Sequence, residues 1–133
     1  MAQSDPMSHA PKMLVIDDDA SILLAFKKYF SKHGFTVEIA REREEAEALI
    51  ATTRYVVVIA DVRLTSTGSR EGVEILRFIR SQSRGTLVVI LTAHRSHNLE
   101  AVVRHLGANA FLQKPAALAD IANVINSLMD SHA

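Results

Sequence analysis

The sequence predicts an α/β protein whose open, five-stranded parallel sheet has the strand order 2-1-3-4-5 and carries helices on both faces. Two observations predict this class: apolar runs alternate with helical patterns five times, and the runs are continuous instead of alternating with polar residues. Continuous apolar strands suit a parallel sheet that is covered on both faces. Alternating strands and helices imply right-handed crossovers. In this order strands 1 and 3 are neighbours, and a ligand is expected beyond their carboxyl ends, where the winding reverses.

The predicted strands are short and apolar, and they cover residues 13–16, 35–39, 55–60, 86–91 and 110–112. The third, 55–60, is the clearest because five of its six residues are β-branched or aromatic. The first run stops at Asp17, the third at Asp61 and the fourth at Thr92. The strand pattern therefore places polar residues at one edge of the sheet.

The apolar residues between these strands recur at the spacing of amphipathic helices. Residues 42–52 form the second predicted helix. The expected inward faces are, in chain order, Ile22, Leu23, Phe26, Tyr29 and Phe30; Ala46, Leu49 and Ile50; Ile75, Leu76 and Ile79; Leu99, Val102, Val103 and Leu106; and Leu118, Ile121, Ala122, Ile125, Leu128 and Met129. Gly34 and Gly107 are expected to end the first and fourth helices, since glycine favours the conformation that follows a helix.

The composition of the chain excludes several classes of function. The chain has 133 residues, the size of one domain, and 48% of them are apolar. Lys+Arg and Asp+Glu are 15 each, which argues against direct nucleic-acid binding, and the absence of cysteine excludes disulfides and thiolate metal sites. No apolar run suits a membrane span or a secretory signal, so a cytoplasmic protein with no membrane contact is expected. Residues 1–11 are predicted to be a disordered lead-in, and 12–133 the domain.

A carboxylate cluster is predicted at the carboxyl edge of the sheet. Strand 1 ends in Asp17, Asp18 and Asp19, strand 3 in Asp61, and strand 5 runs into Lys114. Carboxylates forced together repel one another and need a cation or shared protons. Oxygen ligands without His or Cys favour Mg²⁺ or Ca²⁺, and few protein ligands favour Mg²⁺.

Phosphoryl transfer is the chemistry that such a cluster suits. A carboxylate beside Mg²⁺ can attack phosphorus and form an aspartyl phosphate. Lys114 would offset charge on the transferring oxygens, and Thr92 could donate a hydrogen bond to one of them. The sequence thus indicates a phosphorylation switch on Asp61.

The chain resembles the response-regulator receiver domains of two-component signalling over roughly residues 12–130. The matching segments are LVIDDD, VVVIADVRL, EGVEILRFIR, VVILTAH and GANAFLQKP. The resemblance implies a flavodoxin-like fold and Asp61 as the phospho-acceptor. It also implies that Asp18 binds Mg²⁺ directly, Asp17 through water, and Arg63 through its backbone carbonyl.

The resemblance implies further roles. Thr92 and Lys114 would sense the phosphoryl group, Phe111 would be the aromatic switch residue, and Lys114-Pro115 would be a cis peptide. Arg63 and His94 occupy positions that tune the lifetime of the phosphorylated state. The expected phosphodonor is a histidine kinase or histidine phosphotransfer protein, with Ile22 and Ala116 able to touch it. The resemblance also allows a homodimer through helices 4 and 5. No output domain is expected in this chain, which is either a free-standing receiver or part of a longer protein.

Two features depart from the family pattern. Thr65 stands where family members often have proline, and the loop from Thr65 to Glu71 is longer than usual by a few residues. The phosphoryl chemistry should survive both changes. They bear instead on the rigidity of the loop and on its fit to partners.

Other interpretations stay open from the sequence. Asp17 and Asp19 also fit the nucleophile motif of a haloacid-dehalogenase-like phosphatase, although the chain is short for one. A flavodoxin-like FMN binder would need a first loop rich in Ser, Thr and Gly, whereas this loop is acidic. A structural module with a receiver-like shape would have no need of the acidic set. Asp19 is expected to cap a helix instead of binding metal, and Pro115 suits the first position of the last helix.

Overall fold

A parallel sheet of five strands in the order β2-β1-β3-β4-β5 forms the centre of the molecule, as the sequence predicts. The computed structural model describes residues 10–61, 68–93 and 97–131. The strands are β1 Lys12–Ile16, β2 Thr36–Ala40, β3 Val57–Asp61, β4 Leu87–Thr92 and β5 Ala110–Gln113. Nearly every residue of β1, β3 and β4 is buried, whereas the edge strands β2 and β5 are partly exposed. Burial on both faces explains why the central strands are continuously apolar.

Five helices cover the sheet in two layers: α1 Ala20–Lys32, α2 Arg43–Thr52, α3 Gly68–Gln82, α4 His97–His105 and α5 Leu118–Ser131. One layer is the α1/α5 face, whose core includes Phe26, Phe30 and Ile121. The other is the α2/α3/α4 face, whose core includes Ile50, Leu76 and Val103. Alternate residues of each strand enter the two cores, which is the two-residue period of a strand.

Local chemistry sets several helix ends. The side chain of Asp19 accepts hydrogen bonds from the backbone N–H groups of Ser21 and Ile22 at the start of α1, which confirms its predicted capping role. Gly34, after α1, has a φ of 97° and Gly107, after α4, has a φ of 110°. Both glycines take the left-handed conformation that L side chains adopt only with strain, so both predicted helix ends are confirmed.

Arg80, in the last turn of α3, joins that helix to the turn after α4. Its guanidinium donates to the carbonyl oxygen of Gly107 at 2.6 Å, to that of Thr86 at 2.7 Å and to Oδ1 of Asn109 at 3.0 Å. The same Asn109 oxygen accepts from the backbone N–H of Val88 in β4 at 2.8 Å. One partly buried cation thus fixes α3, β4 and the α4–β5 turn relative to one another.

The structure corrects two details. Val102 was expected in the core, but it is 46% exposed, because Leu99 and Val103 already fill the inward side of the short helix α4. Pro115 is not the first residue of α5, which begins three residues later at Leu118. The Lys114-Pro115 peptide is cis, as predicted. Within the described ranges no helix is long and apolar enough to cross a membrane. The lead-in stays a prediction, since residues 1–9 lie outside those ranges.

Candidate functional site

Three carboxylates meet at the carboxyl edge of the sheet. Asp17 and Asp18 follow β1, and Asp61 ends the neighbouring strand β3. One carboxylate oxygen from each lies within 4.8 Å of the other two. The register, which pairs Ile16 with Ala60, brings the two strand ends level. The predicted convergence of the acidic residues is therefore present.

Lys114 lies between two of these carboxylates. Its ammonium nitrogen is 3.0 Å from Oδ2 of Asp17 and 3.2 Å from Oδ1 of Asp61. Its backbone N–H donates to the carbonyl oxygen of Thr92 at 2.7 Å, so the pairing of β5 with β4 continues one residue past the strand. The side chains of Asp17, Asp61 and Lys114 are 4%, 11% and 22% exposed. A nearly buried ion cluster thus occupies the ends of three strands.

Burial and repulsion change the protonation of this cluster. Burial raises the pKa of Asp61 above its ordinary value, and the negative charge of Asp17 raises it further, against the attraction of Lys114. For Lys114, burial by itself would lower the pKa. The hydrogen bond to Asp17 and the charge of Asp61 outweigh burial, so the pKa of Lys114 is raised. The site therefore holds a firmly protonated lysine and a carboxylate that is costly to ionise.

Hydrogen bonds hold two peptides of the turn from residue 17 to residue 19, the one before Asp17 and the one between Asp18 and Asp19. The N–H of Asp17 donates to the carbonyl oxygen of Ala40 at 3.1 Å, and the N–H of Asp19 donates to Oδ1 of Asp17 at 2.9 Å. Nη2 of Arg41 donates to the carbonyl oxygen of Asp18 at 3.2 Å. The sequence did not single out Arg41. The strand order could have revealed it, since it places the end of β2 beside the end of β1.

Thr92 and Phe111 lie on the other face of the sheet. Thr92, the last residue of β4, is fully buried, and Phe111 in β5 is 4% exposed within the core of the α2/α3/α4 face. Asp17, Asp61 and Lys114 follow the opposite strand phase, which is that of Val15, Ile59 and Leu112 in the core of the α1/α5 face. The two predicted switch residues thus share one face and the ion cluster lies toward the other.

Arg63 and His94 lie outside the described residues, as does much of the loop that begins at Thr65. The predicted metal-binding carbonyl of Arg63 and the tuning roles of both residues therefore stay predictions.

The donor set fits a hard divalent cation. Within the described residues the cluster offers carboxylate oxygens from Asp17, Asp18 and Asp61 and no nitrogen or sulfur ligand. Oxygen donors suit Mg²⁺ and Ca²⁺, and few protein ligands leave the several waters that Mg²⁺ keeps. A cation would also relieve the repulsion that raises the pKa of Asp61.

Comparison with known proteins defines the class. Residues 13–126 match the family model of the response regulator receiver domain. The response regulator MprA of Mycolicibacterium vanbaalenii is 30% identical over 118 residues, which is 89% of this chain and 50% of that protein. The chain thus spans about half the length of the curated relatives it matches.

Solved structures agree with this assignment. A CheY-like receiver domain protein from Methanospirillum hungatei has a TM-score of 0.84 and 25% identity, over 92% of this chain and 96% of that one. The Francisella response regulator 1452 receiver domain has a TM-score of 0.79 and 29% identity, over 92% of this chain and 99% of that one. The chain therefore belongs to the response regulator receiver domain family of two-component systems, whose members are signalling domains and not conventional enzymes.

Proposed function

We propose that this receiver domain is switched by transfer of a phosphoryl group onto Asp61 in the presence of Mg²⁺. The observation that carries the proposal is the meeting of Asp17, Asp18 and Asp61 around one point, with Lys114 within 3.2 Å of two of them. A patch of solvent-exposed acidic side chains would not bury Asp17 or pair it with a lysine that follows another strand. The phosphatase and flavin alternatives lose their support, because the family is established and Asp19 is used as a helix cap.

The chain's own residues supply the chemistry. A carboxylate oxygen of Asp61 attacks phosphorus, a P–O bond forms, and the P–N bond of a donor phosphohistidine breaks, with its electron pair returning to the imidazole nitrogen. Asp17, Asp18 and Asp61 would hold the metal ion, which when bound offsets charge on the phosphoryl oxygens. The Lys114 ammonium, already beside Asp61, pairs with a phosphoryl oxygen.

The switch would pass from the site to the α4 side of the molecule. An added phosphoryl group carries roughly −1.5 to −2 charges and strong acceptor oxygens. The Thr92 hydroxyl is drawn toward it, and Phe111 repacks beside α4. Phe111 is already inward-facing, so its change is a shift within the core and not an entry from solvent. We include the predicted lifetime roles of Arg63 and His94 in this proposal.

The partner follows from the family, whose members receive the phosphoryl group from a histidine kinase. Donation by a histidine phosphotransfer protein, and a homodimer through α4 and α5, belong to the same proposal. Ile22 and Ala116, both partly buried against the core of the α1/α5 face, are the expected contacts for the donor. A cytoplasmic location is consistent with such a donor.

The direct test is treatment with acetyl phosphate, with and without Mg²⁺, followed by mass spectrometry of proteolytic fragments. We expect one phosphoryl adduct, on Asp61, that depends on Mg²⁺. Asp61→Asn should abolish the adduct, whereas Asp120→Asn, which changes an exposed carboxylate on α5, should leave it unchanged. An adduct on Asp17, or labelling of the Asp61→Asn variant at the same rate, would refute the proposal.

A further inference from the structure

Arg41 connects the end of β2 to the acidic turn. Its backbone N–H donates to Oε1 of Glu45 at 2.8 Å, and its Nη2 donates to the carbonyl oxygen of Asp18 at 3.2 Å. The residue before it, Ala40, accepts the hydrogen bond from the N–H of Asp17. Two adjacent residues at the end of β2 thus hold the peptide before Asp17 and the peptide after Asp18.

The three carboxylates of the cluster are held in different ways. Asp17 is buried and paired with Lys114, and Asp61 is fixed by β3. Asp18 is exposed, yet its carboxylate is the third member of the cluster. The bond from Arg41 to its backbone carbonyl, together with the bond from the Asp19 N–H to Asp17, restrains the peptide after Asp18 and with it the backbone from which the carboxylate extends.

We propose that Arg41 is a positioning residue that aims the Asp18 carboxylate at a divalent cation shared with Asp17 and Asp61. This inference rests on the proposed function and adds a residue to it. Residues that orient metal ligands typically change metal affinity about 10- to 100-fold when removed. Because Arg41 is exposed, its loss should fall near the lower end of that range.

Whether removal of Arg41 weakens or tightens Mg²⁺ binding distinguishes a positioning role from a simple charge effect. Arg41 is a cation near a cation site, so by charge alone its removal would tighten Mg²⁺ binding. If Arg41 acts by positioning Asp18, its removal weakens binding. An exposed charge is also screened by salt, whereas a hydrogen bond that fixes a peptide is much less so.

The experiment is calorimetric titration of the full chain with Mg²⁺ alone, at low salt and at 0.5 M salt, a concentration at which the Debye length is only about 4–5 Å. We expect Arg41→Ala to raise the Kd about tenfold at both concentrations. Arg41→Lys, which keeps the charge and one donor, should recover part of the affinity. Arg54→Ala is the matched control, since Arg54 is exposed and precedes β3 at the opposite edge of the sheet, and it should bind like the wild type.

A second measurement distinguishes positioning from damage to the fold. With acetyl phosphate as donor, Arg41→Ala should need about tenfold more Mg²⁺ for half-maximal labelling but reach the wild-type rate at saturation. Unchanged or tighter Mg²⁺ binding by Arg41→Ala, or an equal loss in Arg54→Ala, would overturn the role of Arg41 alone. Failure of the wild type to bind Mg²⁺ or to label on Asp61 would overturn the proposed function as well.

Discussion

Asp61 is ionised at a cost to the folded protein. Its pKa is raised by burial and by Asp17, so the folded state binds a proton on this group more tightly than the unfolded chain does. The unfavourable contribution is therefore present at neutral pH and is relieved as pH falls through the raised pKa. The site that we propose accepts a cation and a phosphoryl group is thus strained when it holds neither.

This strain gives a prediction for the metal-free protein. Asp61→Asn should raise the free energy of unfolding at pH 7, by on the order of 1 kcal/mol, because it removes one of the repelling charges and leaves the Lys114–Asp17 pair intact. The gain should shrink as the pH is lowered from 7 through the raised pKa of Asp61, because the wild type then takes up its proton. Urea unfolding across this pH range measures both effects, and a less stable variant at pH 7 would contradict the repulsion argument.

The raised pKa of Asp61 can be measured directly by NMR. In metal-free buffer the carboxyl carbon of Asp61, followed by NMR, should titrate above the value of about 3.9 for an ordinary aspartate. Asp19, whose pKa is lowered by the Ser21 hydroxyl and by backbone N–H groups at the helix start, should titrate below it in the same sample. A lower midpoint for Asp61 than for Asp19 would show that the site is not strained by burial.

The end of α4 is shaped by a close approach of two residues. A Cβ added to Gly107 would lie 2.6 Å from Nε of Arg80, whereas one added to Gly34 would meet nothing within 4 Å. Both glycines have positive φ values, 97° for Gly34 and 110° for Gly107. They therefore form a matched pair in which one substitution brings backbone strain alone and the other brings strain and collision.

Gly34→Ala should cost about 1 kcal/mol of stability, and Gly107→Ala should cost about 2–4 kcal/mol, because the guanidinium must also leave its carbonyl partners. Thermal unfolding of both variants tests the difference. Combining Gly107→Ala with Arg80→Ala should cost less than the sum of the two single changes, since the collision then disappears. Equal losses for the two glycine variants would show that Arg80 is free to move aside.

The molecule as a whole should be stabilised by the cation it is proposed to bind. A ligand that binds only the folded state at 100 times its Kd adds about 2.7 kcal/mol. We expect Mg²⁺ to raise the melting temperature of the wild type and to have little effect on Asp18→Asn. Without metal, Asp18→Asn should melt at or above the wild-type temperature, because a repelling charge is gone. A lower metal-free melting temperature would contradict that reasoning.

Much of this architecture was predictable because its signals are local. Continuous apolar runs and amphipathic patterns predict that strands and helices alternate along the chain. That alternation implies a parallel sheet, and a parallel sheet brings Asp17, Asp61 and Lys114 together at its carboxyl edge. Strand bounds moved by one or two residues, since pairing extends into flanking residues such as Lys12 and Gln113. The exposure of Val102 was not predictable from spacing, because it depends on how little of a short helix the core can cover.

The contacts of Arg41 and Arg80 were not predicted for a different reason, although the strand order does place Arg41 near the acidic turn. Each guanidinium binds backbone carbonyls of residues distant in sequence, such as Asp18 and Gly107, and a carbonyl carries no residue identity. The resemblance implies that Phe111 is the aromatic switch residue, and the sequence pattern around Phe111 could not have predicted this role either. An aromatic residue in a buried strand is most simply a core residue, and in the structure it also serves as one.

The division of side chains between the two faces has a mechanical consequence. Asp61 and Lys114 follow one strand phase while Thr92 and Phe111 follow the other, so the proposed phospho-acceptor and the proposed switch residues belong to opposite faces that meet at the carboxyl edge of the sheet. Under the proposed function, a phosphodonor that contacts α1 and α5 and a downstream partner that contacts α4 would approach from different directions. Both could bind the molecule at once, and the downstream partner could begin to bind before the donor has left.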